Sequence, residues 1–378
     1  MSKMKRVIYA DNAATTKLDS DALDAMMPYL MKEYANASQP YFFAKAAKKA
    51  LADAKETIAG CIGADPKEIF LTSGGTESDN WALKSVLFHK SDQNRILTSS
   101  IEHKAVLNSC RALEGMSIPV EYLPVDQYGV LQPDTLRDSW KRDVALVSVM
   151  LSNNEIGTIE PIRELCKIAH ERGALFHTDA VQAMGHIPID VEDLEVDLLS
   201  ASAHKFNGMK GSGFLYIRQG TMMEPFLDGG NQEGGLRAGT ENVAAAVSMA
   251  IALKKNCDRM EKERKRLEEL ESIFIHRLSL SGVDFIRNGS KNHLPGNISI
   301  SIKDSDGEML LHRLDLMGIC VSTGSACDSQ NTKISHVIEA IQVPKEYAKG
   351  TIRISLGADN IVEDVNQISD ALSKIIKG

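Results

Sequence analysis

The chain has 378 residues, 43% of them hydrophobic and 25% charged, with a formal net charge of −8. That length exceeds one small core, so two domains are expected, and the composition is that of an ordinary globular protein. The acidic balance offers no basic stripe for direct nucleic-acid binding, and no apolar run approaches a membrane span; a cytoplasmic protein is expected.

The N-terminus is basic and then apolar for only Val7 to Ala10, too short for the apolar core of a signal peptide. Val7-Ile8-Tyr9 reads as a strand. The small polar turn after it, Asp11-Asn12-Ala13-Ala14-Thr15-Thr16, could let a ligand approach closely. An amphipathic helix is expected over 20–34, an irregular loop from Asn36 to Pro40, and an Ala- and Lys-rich helix over 43–60. From there strands alternate with helices. Strands are read at 68–72, 95–98, 120–123, 145–150 and 174–179, and helices at 80–87, from 101 onward and at 162–172. Strands that read as continuous apolar runs between helices indicate an α/β fold with a mostly parallel sheet covered on both faces.

Residues 196–217 hold two more strands, 196–200 and 214–217, joined by Ala201-Ser202-Ala203-His204-Lys205 and a Gly-rich turn through Asn207, Gly208, Gly211 and Gly213. An amine confined there, beside Ser202 and His204, suits a Schiff-base lysine, because its charged form is disfavoured and its nucleophilicity raised. Residues 241–280 fit one or two long helices leading to a second core. Strands at 298–302, 318–322 and 351–355 and helices at 308–316, 335–340 and 364–377 then make a smaller α+β domain. The division expected is a large domain over 15–258 and a small domain from 1–14 and 259–378.

The six cysteines, at 61, 110, 166, 257, 320 and 327, form no CxxC pair and no zinc spacing, so no metal site is expected. Five read as buried hydrophobes. Cys327 differs: Ser322-Thr323-Gly324-Ser325-Ala326-Cys327-Asp328-Ser329-Gln330 is small and polar, which suits an exposed loop with an accessible thiol.

In open α/β sheets, ligands bind beyond the carboxyl ends of the strands. Gly74-Gly75-Thr76 stands at one such end, where backbone N–H groups and a hydroxyl can converge on a phosphate. His103, Asn154 and Glu155, Asp179 with Gln182, and Ser202 with His204 and Lys205 stand at others. Each has an ordinary alternative: Asp179 as a helix cap, His103 as a first-turn residue, Gln182 as plain helix, Lys205 as a loop lysine. Together they describe a pyridoxal 5′-phosphate site, in which the carboxylate keeps the pyridine nitrogen protonated so that the ring acts as an electron sink.

The sequence resembles the cysteine desulfurases of the NifS/IscS type, within the fold type I (aspartate-aminotransferase-like) pyridoxal-phosphate enzymes. The matching segments are YADNAATT (9–16), TSGGTESDN (72–80), EHKAVL (102–107), SNNEIGT (152–158), HTDAVQA (177–183), SAHKFNGMKGSG (202–213), GGNQEGGLRAGTEN (229–242), STGSACDS (322–329) and TIRISLG (351–357). The resemblance implies that Lys205 carries the cofactor, that His103 stacks on its ring and serves as a base, that Asp179 holds the pyridine nitrogen and that Gln182 contacts the ring hydroxyl. It places Gly75, Thr76, Ser202 and His204 on the phosphate, together with Thr240 from a neighbouring subunit, hence a homodimer. Asn36, Asn154 and Arg353 match substrate-contacting positions, and a guanidinium suits an amino-acid carboxylate. Cys327 would take sulfur from L-cysteine as a persulfide and pass it to an acceptor protein, in iron–sulfur cluster assembly or another thiolation pathway, while the substrate leaves as L-alanine.

Departures from the family pattern lie at Ala37 to Tyr41, where Tyr41 replaces a common histidine, at Asn207 and Met209, at Gly234, and at Asp328 to Lys333. They bear on acceptor choice and substrate entry. Selenocysteine lyase or cysteine-sulfinate desulfinase activity, and a non-catalytic sulfur-assembly scaffold, are the competing readings.

Overall fold

The computed structural model describes residues 6–88, 93–324 and 334–378. The chain opens on β1 (Ile8–Tyr9) and, after two helices, lays down β2 (Ile69–Thr72), β3 (Arg95–Ser99), β4 (Val120–Leu123), β5 (Val144–Ser148), β6 (Leu175–Asp179), β7 (Leu198–Ser202) and β8 (Gly213–Ile217). These last seven form one sheet in the order β2-β8-β7-β6-β5-β3-β4. From β7 to β4 every pairing is parallel, and β8 runs antiparallel between β7 and β2. The apolar runs explain this. All five residues of β5, Val-Ala-Leu-Val-Ser, are buried, as a central strand covered on both faces requires.

A single 38-residue helix, Val243–Leu280, follows and serves two cores. Its first half packs Met249 and Leu253 against the seven-stranded sheet. Its second half gives Leu267, Leu270, Phe274 and Leu278 to another apolar cluster. That cluster surrounds β9 (Phe285–Arg287), β10 (Asn297–Ile302) and β12 (Thr351–Ser355), an antiparallel sheet in the order β12-β10-β9. β11 (Ile319–Cys320) pairs in parallel with β1, so the N-terminus is stitched to the C-terminal part of the chain. Among the described residues no helix is long and apolar enough to cross a membrane.

Of the boundaries that differ from expectation, two matter for the site. The helix expected over 80–87 begins at Gly75. Glu77 caps this start by accepting the Ser73 N–H at 2.9 Å, a device hidden inside what reads as a Gly-rich loop. β7 continues through Ala201 to Ser202, because Ser202 still pairs with Gly213 on β8. The turn between those strands places Asn207 at φ 66°, a left-handed conformation that asparagine tolerates better than most residues.

Candidate active site

A cavity of about 510 Å³ opens beyond the ends of β6 and β7, between the sheet and β12. Gly75, Thr76, His103, Asn154, Asp179, Gln182, Ser202, His204, Lys205 and Arg353 all line it. Residues from six separate segments of sequence are therefore brought to one place. Asn36 and Thr240 are not in this cavity. Thr240 is exposed and borders a separate groove with Thr72, Ser73 and Gly213. Cys327 lies outside the described residues.

Lys205 is held from an unexpected direction. Its Nζ donates to the Ala13 and Ala14 carbonyls, at 2.5 and 2.9 Å, in the turn that follows β1. That turn is tied to the lysine's own loop: Thr16 donates through both N and Oγ1 to the His204 carbonyl, and Asn207 N–H donates to Thr16 Oγ1 at 2.8 Å. Gln182 Nε2 also reaches the Ala13 carbonyl, at 3.0 Å. The Asp11–Thr16 turn is thus a wall of the site, and its run of small residues allows the close approach.

At one end of the cavity the helix Gly75–Lys84 presents its N-terminus. A side chain at Gly75 would bring its Cβ to 2.5 Å from Val181 Cγ2 and 3.6 Å from Ser202 Cβ, so glycine keeps this corner open. Free N–H groups, the Thr76 and Ser202 hydroxyls and the helix dipole together favour an anion there. The His204 imidazole, bonded through Nδ1 to Thr15 Oγ1, has its pKa pushed down to about 4 by burial and by the charges of Lys205 and Lys210. It is a neutral ring at physiological pH.

Across the cavity Asp179 ends β6, buried, with Oδ1 accepting the Val181 N–H at 2.9 Å. Burial pushes its pKa up, while His103 and Lys205 pull it down. His103 caps the helix Lys104–Glu114 by accepting the Ala105 N–H at Nδ1. This leaves the ring proton on Nε2, and burial lowers its pKa. In that tautomer Nε2 is a donor; accepting a proton there requires the other tautomer and the loss of the Ala105 bond.

Arg353, on β12, is 4% exposed. Its Nη2 pairs with Asp11 at 2.7 Å and its Nη1 donates to the Asn154 carbonyl at 2.9 Å, while Nε is buried without a partner among the described residues. Beside it Glu155, whose carboxylate accepts from Ser335 Oγ at 2.6 Å, has its pKa raised to about 7 by burial.

Val181, Glu155 and Asp79 are among the cavity residues that escaped the sequence reading. Val181, which presses on the Gly75 corner, lies inside HTDAVQA as an ordinary aliphatic. Glu155 was placed at a strand end but given no part. Asp79, buried to 1%, sits within TSGGTESDN, where a carboxylate on a helix reads as solvent-facing. Donor atoms of Asp79, His103 and Asp179 lie within 4.8 Å of one another.

These residues fit pyridoxal phosphate. An anion corner, a buried carboxylate for a basic ring nitrogen, an imidazole for the ring face and a lysine amine occur in one cavity, and the glycine corner is open where a phosphate needs room.

The aminotransferase class-V family model matches residues 8–368. A protein described as cysteine desulfurase IscS, from Dictyoglomus turgidum, is 48% identical over 99% of this chain and 95% of its own. Among solved structures, a NifS-like protein aligns over 98% of this chain and 100% of its own, with a TM-score of 0.92 and 37% identity. Another, described as SspA in complex with cysteine, covers 92% of this chain and 98% of its own, at a TM-score of 0.82 and 32% identity. The chain belongs to the class-V aminotransferase family and, within it, to the cysteine desulfurases of the NifS/IscS type.

Proposed function

We propose that this protein takes sulfur from L-cysteine onto Cys327 as a persulfide, releases L-alanine and hands the sulfur to an acceptor protein, with pyridoxal 5′-phosphate bound in the cavity. The observation that carries this reading is the meeting of Lys205, Asp179 and Arg353 in one cavity with the N-terminus of the Gly75–Lys84 helix. In the proposed arrangement the N–H groups of Gly75 and Thr76, with the side chains of Thr76, Ser202 and His204, hold the phosphate. Asp179 faces the pyridine nitrogen, Gln182 and Asn154 orient the ring from its edge, and His103 covers its face.

When bound, the cofactor supplies an electron sink for the electrons left at the substrate Cα. Arg353 binds the substrate carboxylate through its guanidinium, aided by Asn154, and Asp11 holds the guanidinium in place. Lys205 Nζ, kept near the ring by the Ala13 and Ala14 carbonyls, moves the Cα proton. In its other tautomer, with the Ala105 bond released, His103 takes at Nε2 the proton of the substrate thiol or of Cys327. The Cys327 thiolate attacks the substrate sulfur, so that a sulfur–sulfur bond forms as the carbon–sulfur bond breaks.

Two observations support a homodimer. Thr240 and Asn36 lie outside the cavity, and the segments that carry them meet where Ser38 Oγ donates to Glu241 at 3.1 Å. On the same part of the chain Met31, Tyr34, Tyr41, Phe42 and Phe43 are exposed. A second copy that covered these side chains could bring Thr240 to its partner's phosphate.

The decisive test is Cys327→Ser. The variant should retain the yellow cofactor band and its loss on borohydride reduction, yet form no alanine from cysteine. Full turnover by the variant would remove Cys327 from the mechanism. A chain with no reducible band would remove the cofactor site instead.

A further inference from the structure

Asp79 has no part in the site as described so far, yet it lies in the middle of it. The residue sits in the second turn of the Gly75–Lys84 helix, lines the cavity and is 1% exposed. Its Oδ1 is buried without a hydrogen-bond partner among the described residues. Donor atoms of Asp79 and Asp179 lie within 4.8 Å of each other, with His103 in the same group. Two buried carboxylates so close together disfavour each other's charge, which favours a proton on one of them.

The surroundings decide which. Asp179 accepts the Val181 N–H and has the His103 ring and the Lys205 amine near it, and each favours its charged form. Asp79 has the opposite company. From β6 it faces the Asp179 carboxylate and the His177 ring, whose Nε2 is 3.7 Å from Oδ1. That ring is locked between Ser148 and Ser200 hydroxyls, at 2.9 Å each, and burial lowers its pKa to about 3, so it brings no positive charge. From the start of the next helix Glu102 adds a further acid, itself raised to about 8. Only the Ser200 hydroxyl, on β7, favours an ionised Asp79.

We propose that Asp79 is a positioning residue that carries the proton of this carboxyl pair, so that Asp179 remains the anion available to a basic ring nitrogen. The proposal rests on the pyridoxal-phosphate reading for its purpose, but not for its test. A buried acid that binds its proton more tightly in the folded chain than in the unfolded one makes stability fall as pH rises. The fall begins at the unfolded carboxyl pKa, near 4, and ends where the folded group titrates. Burial and the neighbouring acids push Asp79 well above its ordinary value, so the window extends upward from about pH 4.

The experiment is denaturant unfolding of the cofactor-free chain at a series of pH values, for the parent and for Asp79→Asn, which keeps the shape without the titration. Glu102 and Glu155 contribute to both curves, and Asp179→Asn is measured beside them: it should keep the fall, whereas loss of the fall in Asp179→Asn would place the proton on Asp179 and overturn the proposal. The parent's folding constant should fall relative to the variant's by up to about tenfold per pH unit in that window. Asp79→Glu, which restores a carboxyl, should restore the fall. Parallel curves for parent and Asp79→Asn would overturn the proposal. So would a neutral variant that fails to fold at any pH, with Asp79→Ser as the second neutral trial, since a protonated acid is replaceable by a neutral side chain. Absorbance of the parent with added pyridoxal phosphate is recorded alongside. Absence of a visible band would count against the cofactor reading and leave the Asp79 comparison standing.

Discussion

At the scale of single residues, the site holds its charges with fixed partners drawn from distant segments. Arg353 shows the pattern. Asp11 and the Asn154 carbonyl hold two of its nitrogens, and Nε is left buried without a partner. A lysine at this position would keep the charge but lose the planar fork that matches a carboxylate. Hydrogen bonds to a charged group contribute about 1.5–3 kcal/mol, so Arg353→Lys should raise KM for L-cysteine by roughly tenfold to a hundredfold. The change in kcat should be the smaller one, because the contact is made equally in the bound ground state. Steady-state kinetics with alanine as the measured product separates the two. An unchanged KM would mean that the substrate carboxylate binds elsewhere.

At the scale of elements, the cradle depends on how closely β8 lets its neighbours approach. Gly213 opens β8, opposite Thr72 of β2 and Ser202 of β7. A Cβ there would fall 2.4 Å from the Ala201 carbonyl oxygen and 2.7 Å from Gly74 Cα. Both are backbone atoms and cannot rotate away. Gly213→Ala should therefore destabilise the fold by about 1–3 kcal/mol. It should also loosen cofactor binding, since Gly74 carries the start of the phosphate-facing helix; a lowered melting temperature with normal cofactor retention would separate the two effects. The strands and the helices between them were legible in the sequence, because a parallel sheet needs buried runs such as VALVS and helices need their own periodicity. Lys205, Asp179 and the Gly75–Thr76 corner were legible too, because each ends a strand or opens a helix. What could not be read was side-chain company across distant segments. Nothing in YADNAATT says that its carbonyls hold a lysine nearly two hundred residues away, and nothing in TESDN says that its second acid points inward. The helix is expected only from residue 80, although Gly74-Gly75-Thr76 reads as a helix start, and the Glu77 contact with the Ser73 N–H becomes visible only in three dimensions.

At the scale of the whole molecule, a single chain leaves Thr240 exposed and outside its own cavity, and leaves Phe42 81% and Tyr34 68% exposed to water. Burying a large apolar side chain contributes about 1.5–3 kcal/mol, so the proposed homodimer would gain from covering these two together with Met31, Tyr41 and Phe43. If that copy completes the phosphate site, the site is shared, and sharing has a consequence that no single-chain arrangement can imitate. A Lys205→Ala chain lacks its own lysine but can still lend Thr240. A Thr240→Asp chain keeps its lysine but lends a carboxylate that repels the phosphate. Each variant alone should be nearly inactive. Unfolded together and refolded, random pairing makes about half of the dimers mixed, and one of the two sites in each mixed dimer is intact. About a quarter of the parent's alanine production should therefore return, and it should vanish on dilution into monomers. Activity that stays at the sum of the two separate variants would show that each cavity is complete within its own chain.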